Sequence, residues 1–226
     1  MRLIDALLDY TTKNISLLPD KYSWKINYEY LPVSIVRHPN ENLYLQNKKL
    51  RSCLSQHFSS CDDNEKIDII TWYISNWGGI KTNGTEVIKK YALSNEDDII
   101  ARKAKGISSW SKALSIRNPQ KFSIYDARVA SALNSLQIIY DVDDKIYFPH
   151  LSSRNTDIIR SNEMRKSLKT IWQNGAKIDF YRHYLEILDK LVEKIGNGID
   201  AHDIEMLLFA NAVELTKKFK NPEKKT

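Results

Sequence analysis

Cysteine is nearly missing from this chain: Cys53 and Cys61 are the whole supply, with only His57 between them as a third ligand type. A pair so placed makes neither a disulfide framework nor a convincing metal site, and both read as ordinary reduced thiols. Long apolar runs are missing too, and nothing approaches the roughly 18 uninterrupted apolar residues of a membrane span. The opening Met1–Tyr10 carries Asp5 and Asp9 inside its apolar run, which a secretory leader avoids. There is no internal repeat and no low-complexity tract. The expectation is a soluble, cytoplasmic protein that is not exported, in which Asn83-Gly-Thr85 is a turn rather than a glycosylation site.

What is present is enough material for a real core: 226 residues, 42% hydrophobic and 27% charged. That length sits at the upper end of single domains and leaves room for two lobes. The formal charge is +6, with 34 Lys and Arg against 28 Asp and Glu. Such a balance attracts polyanions, nucleic acid among them. Part of the excess lies in the tail Lys217–Thr226, which reads as a solvated terminus, with residues 220–226 expected to be disordered.

Residues 1–62 read as an irregular, aromatic-rich segment packed on the core. A helix is expected from Leu3 to about Thr12, after which Pro19, Pro32 and Pro39 punctuate short helices, loops and a small strand at Val33 to Val36. Residues 63–219 read as a helical domain. Apolar residues from Ile67 to Trp77 recur at helical spacing and stop at Gly78-Gly79, so a helix is expected from Asn64 to Asn76. A second runs from a Thr85 cap to Leu93; a third follows the Ser94–Asp97 cap through Ala104, where Gly106 interrupts it. The next carries Ile107, Trp110, Ala113 and Leu114 and stops before Asn118-Pro119. Further helices are expected at Asp126–Leu136, Glu163–Gln173, Phe180–Ile195 and Asp200–Phe219, the last with Asp200 as cap and Asp203 at the box position. The fold class is therefore mainly α.

The informative stretch runs from Ala104 to Val129: a helix, a Pro-bearing loop, a short extended Phe122-Ser-Ile-Tyr125, and then Asp126 at a helix start. An aspartate there is first a helix cap. Its flanking residues, apolar before and Arg-Val-Ala after, equally suit a carboxylate at the floor of a cleft, kept ionised by the backbone N–H groups of the helix start.

Here the chain resembles the helix-hairpin-helix DNA glycosylases, which place an aspartate at a helix start after a short apolar segment. Ile124-Tyr-Asp126-Ala-Arg-Val129 matches that block. Together with Ser111-Lys112-Ala-Leu114, Pro119, Phe148-Pro-His-Leu-Ser-Ser-Arg-Asn155 and Ile204-Glu-Met-Leu-Leu-Phe209, it is similar to a bacterial group related to the 8-oxoguanine glycosylases. That group includes a phage-defence glycosylase acting on glucosylated hydroxymethylcytosine. The likeness covers roughly Trp77 to Ala212. One departure is plain: the usual Pro-Gly-x-Gly hairpin is absent, and Lys105-Gly-Ile-Ser-Ser109 is a degenerate version with one glycine.

The resemblance implies a two-lobed helical fold with a cleft between the lobes. It implies a monomer that excises a modified or damaged base from double-stranded DNA, with no metal, organic cofactor or membrane partner. Asp126 would stabilise oxocarbenium character on the deoxyribose. Lys112, or Lys105, would be the nucleophile of any lyase step, each having phosphate contact or a structural role as its alternative. Trp110, Tyr125 and Trp77 would supply the base pocket, though aromatic residues at helical spacing are also core residues, as Trp72 is expected to be. Lys103, Arg128, Arg154 and Asn155 would contact DNA, with Arg128 equally placed to pair with Asp126. His150 reads as a hydrogen-bonded loop residue. The competing class is a helical DNA-binding or interaction module without catalysis, in which Asp126 only caps.

Overall fold

The computed structural model describes residues 1–37, 39–164, 172 and 179–220. The chain is mainly helical, and among the described residues there is no strand; the one expected at Val33–Val36 is irregular chain. Two compact units are formed, one from Met1–Lys21 with Tyr125–Thr226, the other from Tyr22–Ile124. The expected boundary after residue 62 thus falls inside the second unit.

In the first unit, α1 (Leu3–Asn14), a 3-10 turn (Ile15–Leu17) and α2 (Leu18–Lys21) join α8 (Ala127–Ile139), α9 (Thr156–Met164), α10 (Phe180–Ile195) and α11 (Ala201–Lys220). Helix α8 packs chiefly on α11, and α1 on α10. From Val129 to Gln137 every residue of α8 is buried, the polar ones included. Those polar groups are satisfied, as buried ones must be. Asn134 donates to the Phe148 carbonyl (2.8 Å) and accepts from the Phe148 N–H (3.1 Å). One turn on, Gln137 does the same with Ile146, at 2.8 and 2.7 Å. Two carboxamides at i and i+3 on one helix thereby stand in for a neighbouring strand, and they pin the stretch that leads into Phe148–Asn155. Losing either clamp would strand a buried backbone group, at a cost of about 1–3 kcal/mol.

Local chemistry explains the helix limits. Asp200 and Asp203 cap α11 reciprocally: the Asp203 N–H donates to Asp200 (2.9 Å) and the Asp200 N–H to Asp203 (3.0 Å), as their spacing predicts. Helix α10 matches its expected range residue for residue. Of the expected helix at Glu163–Gln173, the first two residues belong to α9, and the rest lies outside the described residues apart from Trp172; so does the tail from residue 221.

The second unit holds α3 (Leu43–Ser60), α4 (Asp63–Trp72), a π turn (Tyr73–Trp77), α5 (Thr85–Leu93), α6 (Glu96–Ile100) and α7 (Ile107–Arg117). Helix α3, at 18 residues, corrects the expectation of an irregular segment there. Asn42 caps it by accepting from the Leu45 N–H (2.9 Å), and Leu50, Leu54 and Phe58 form a buried stripe at four-residue spacing. Gly84, not Thr85, precedes α5, with no side-chain cap. Helix α6 ends at Ile100 instead of reaching Ala104, because residues 101–106 wind into a turn in which Lys103 and Gly106 both adopt left-handed backbone, φ 53° and 75°.

Buried phenols give this fold an alkaline limit. Tyr140 donates to Asp9 (3.0 Å), and burial with that carboxylate pushes its pKa up to about 12; burial raises Tyr10 and Tyr125 as well. A phenol held neutral in the folded state contributes stability that is complete below about pH 10 and lost as pH rises through the folded value. Absorbance titration should therefore resolve one tyrosine class ionising near pH 10 and a second that ionises only as the helical circular dichroism collapses. The Tyr140→Phe substitution should lessen the stability loss above that pH.

Candidate active site

Residues Phe122 to Tyr125 lead into α8 as buried chain that is neither helix nor strand. Asp126 is half-buried at the helix head, where its Oδ1 accepts the N–H groups of Arg128 (2.9 Å) and Val129 (3.0 Å). It is therefore a helix cap. Its second oxygen accepts no hydrogen bond among the described residues, and it is not sealed from solvent. One oxygen holds the backbone while the other stays available at the head of the helix.

Arg128 does not pair with this carboxylate. Its guanidinium lies over the Phe209 ring of α11, 4.6 Å from the centroid. Tyr125 is fully buried: its hydroxyl donates to the Pro149 carbonyl (3.0 Å), and its ring meets Tyr184 edge-on at 5.5 Å and Phe180 at 5.3 Å. The residue before Asp126 is thus locked, and the carboxylate inherits a rigid mount. Asn155 caps α9 through the N–H groups of Asp157 (3.0 Å) and Ile158 (3.1 Å), with Arg154 exposed beside it. His150 hydrogen-bonds through Nδ1 to the Tyr147 hydroxyl (2.9 Å) and stacks on that ring, the loop role expected of it.

The remaining sequence-stated candidates sit in the second unit. Lys103 and Lys105 are exposed in the turn between α6 and α7. Lys112 is buried on α7, only 5% exposed, and its amine donates to the Ser108 carbonyl one turn back (2.8 Å). The two lysines therefore do not share one helix face, because α7 begins after Lys105. Gly78 explains how Lys112 fits: a Cβ there would stand 2.9 Å from the Lys112 Cε. Trp110 is fully buried. Trp77 is a core residue that stacks on Tyr73 at 4.3 Å and donates to Asn47 (2.7 Å), and Trp72 is likewise buried, donating to the Glu29 carbonyl (2.7 Å). The three aromatic residues named for the base pocket are interior side chains in this structure. Sequence reading did not foresee the packing of Gly78 against Lys112, the contact of Phe209 with Arg128 or the two carboxamide clamps; only the amide residues at i and i+3 in α8 were a visible signal.

Among the described residues no group of His, Cys, Asp or Glu side chains is arranged to hold a metal ion, and no helix is long and apolar enough to cross a membrane. No family model, curated protein or solved structure gives a match to this chain.

Two substitutions test these geometries. Asparagine caps as well as aspartate, so Asp126→Asn should leave chemical-denaturation stability within a few tenths of a kcal/mol, whereas Asp126→Ala should cost about 1 kcal/mol. At the turn, a Cβ on Gly106 would meet the Tyr91 hydroxyl at 2.6 Å on left-handed backbone. Gly106→Ala should therefore destabilise by about 1–3 kcal/mol. Adding Tyr91→Phe should recover part of that loss, leaving the backbone share.

Proposed function

We propose that the chain is a DNA N-glycosylase of the helix-hairpin-helix kind, two-lobed in architecture, excising a modified or damaged base from double-stranded DNA. The observation that carries this reading is the divided carboxylate of Asp126, with one oxygen spent on the helix and the other open, on a buried and fully hydrogen-bonded helix.

Departure of a nucleobase leaves positive charge on the deoxyribose. A carboxylate already fixed in place lowers that barrier without having to reorganise, and its open oxygen also orients an attacking water. Support for the DNA partner comes from the short helix α6, the tight turn and α7, with Lys103 and Lys105 exposed at the turn. Exposed lysines there suit phosphate contact, which positions a duplex without reading its sequence. Arg154, Asn155 and Arg128 extend the same role within the first unit. The target base belongs to the classes the resemblance implies, an oxidised purine or a bulky modified cytosine of phage DNA.

For Lys112, burial and the bond to Ser108 favour a structural role over nucleophilic attack, so hydrolysis without strand cleavage is the favoured outcome. One observation favours the competing reading of a non-catalytic binding module: Asp126 does cap its helix.

Incubating the protein with duplexes carrying 8-oxoguanine or glucosylated hydroxymethylcytosine, then with alkali, separates the two. Abasic sites should appear on a modified duplex and not on the plain one. Asp126→Asn, which keeps the cap, should bind that duplex yet lose about a hundredfold or more in turnover. Equal cleavage by the variant, or alkali-stable modified DNA throughout, overturns the enzyme reading. Borohydride should trap no covalent adduct; an adduct that disappears in Lys112→Ala would instead make Lys112 the nucleophile.

A further inference from the structure

Asp126 and Asp179 both cap a helix that carries an arginine in its first turn, yet the two carboxylates are paired differently. At α10, Asp179 Oδ1 accepts the Arg182 N–H (3.3 Å), and Oδ2 accepts from the same residue's side chain, with Nε at 3.0 Å. That arginine has folded back and neutralised its own cap. At α8 one oxygen is engaged in the same way, by the N–H groups of Arg128 and Val129. Here the guanidinium turns instead to the Phe209 ring on α11, 4.6 Å from the centroid.

Distance does not keep Arg128 from its cap. Its N–H lies 2.9 Å from Asp126 Oδ1, so its Cα stands within about 4.4 Å of that oxygen, inside the span of an arginine side chain. A guanidinium over an aromatic face and one against a partly exposed carboxylate are held by forces of similar size, so a well-placed ring can decide between them. Phe209 is well placed. Asp126, Arg128 and Phe209 are all part-buried, and α11 is the helix on which α8 chiefly packs.

We propose that Phe209 is a positioning residue: its ring draws Arg128 aside and keeps the open oxygen of Asp126 from being neutralised. Without the ring, the guanidinium folds back onto its cap as Arg182 does. A carboxylate already paired with a cation in the ground state gains less from an oxocarbenium ion beside it, so turnover falls. That consequence rests on the glycosylase reading; the placement of Arg128 does not.

Crystal structures of Phe209→Leu and Phe209→Tyr test the placement without an activity assay. In Phe209→Leu a guanidinium nitrogen of Arg128 should lie within about 4 Å of an Asp126 oxygen. In Phe209→Tyr, which keeps an aromatic face, the arginine should stay on the ring. Kinetics on whichever modified duplex the wild type cleaves test the consequence. Phe209→Leu should lower kcat about tenfold, a larger change than in KM, and Phe209→Tyr should keep the wild-type value. Adding Arg128→Gln to Phe209→Leu should restore kcat while raising KM, a rescue that a merely structural defect does not allow. Arg128 away from Asp126 in Phe209→Leu, or paired with it in Phe209→Tyr, overturns the proposal. So does wild-type kcat in Phe209→Leu, or a loss that Arg128→Gln fails to restore. If the wild type excises no base, the glycosylase reading falls and the two crystal structures alone decide the role of Phe209.

Discussion

Two backbone hydrogen bonds onto a single oxygen of Asp126 organise the chemistry proposed for this chain. Donated by Arg128 and Val129, they fix the carboxylate plane relative to α8 and free the other oxygen from structural duty. The helix they cap is buried from Val129 to Gln137, so its head cannot rock without disturbing the core beneath it. Precision at the site therefore derives from packing and satisfied amides further along the helix, and not from a network around the carboxylate itself.

The rest of the first unit serves that helix. Asn134 and Gln137 anchor the chain from Ile146 to Phe148, and the same stretch continues to Pro149, whose carbonyl receives the Tyr125 hydroxyl. A loop held by the middle of α8 thus returns to hold the residue just before its start. Each tie is a buried or part-buried hydrogen bond whose loss leaves an unpaired group, so the sub-structure tolerates small adjustments poorly. Arg128 completes the head of the helix by lying on Phe209, and no cation pairs with Asp126 among the described residues.

Much of this was legible in the residues, for physical reasons that differ by element. Helix α10 took its expected range, and the structure shows Asp179 capping its start; α11 announced itself through the Asp200 and Asp203 box. Helix α3 did not. Lys48, Lys49, Arg51 and His57 dilute its apolar stripe, so its stability comes from burying Leu50, Leu54 and Phe58 against the second unit, which local sequence does not display. The break after Ile100 was hidden for a different reason. Lys103, an ordinary helix former, adopts left-handed backbone there, and nothing in its identity signals that. At the site, the cap role of Asp126 could be read from its place before an apolar helix; the vacancy of its second oxygen could not, since it depends on where Arg128 goes.

Glu41 and Asp126 show why a carboxylate must be judged atom by atom. Each gives one oxygen to the protein and has no partner for the other among the described residues, yet the two differ in solvation. Asp126 is half-buried and its open oxygen is hydrated at little cost, so it gains most by meeting a charge that arises only during reaction, as an oxocarbenium ion does. Glu41 Oε2 is sealed from water, so the folded chain carries a standing penalty of about 1–3 kcal/mol. Solvent access at a single oxygen thereby decides which of the two carboxylates can meet a charge that arises beside it, although the side chains share one chemistry.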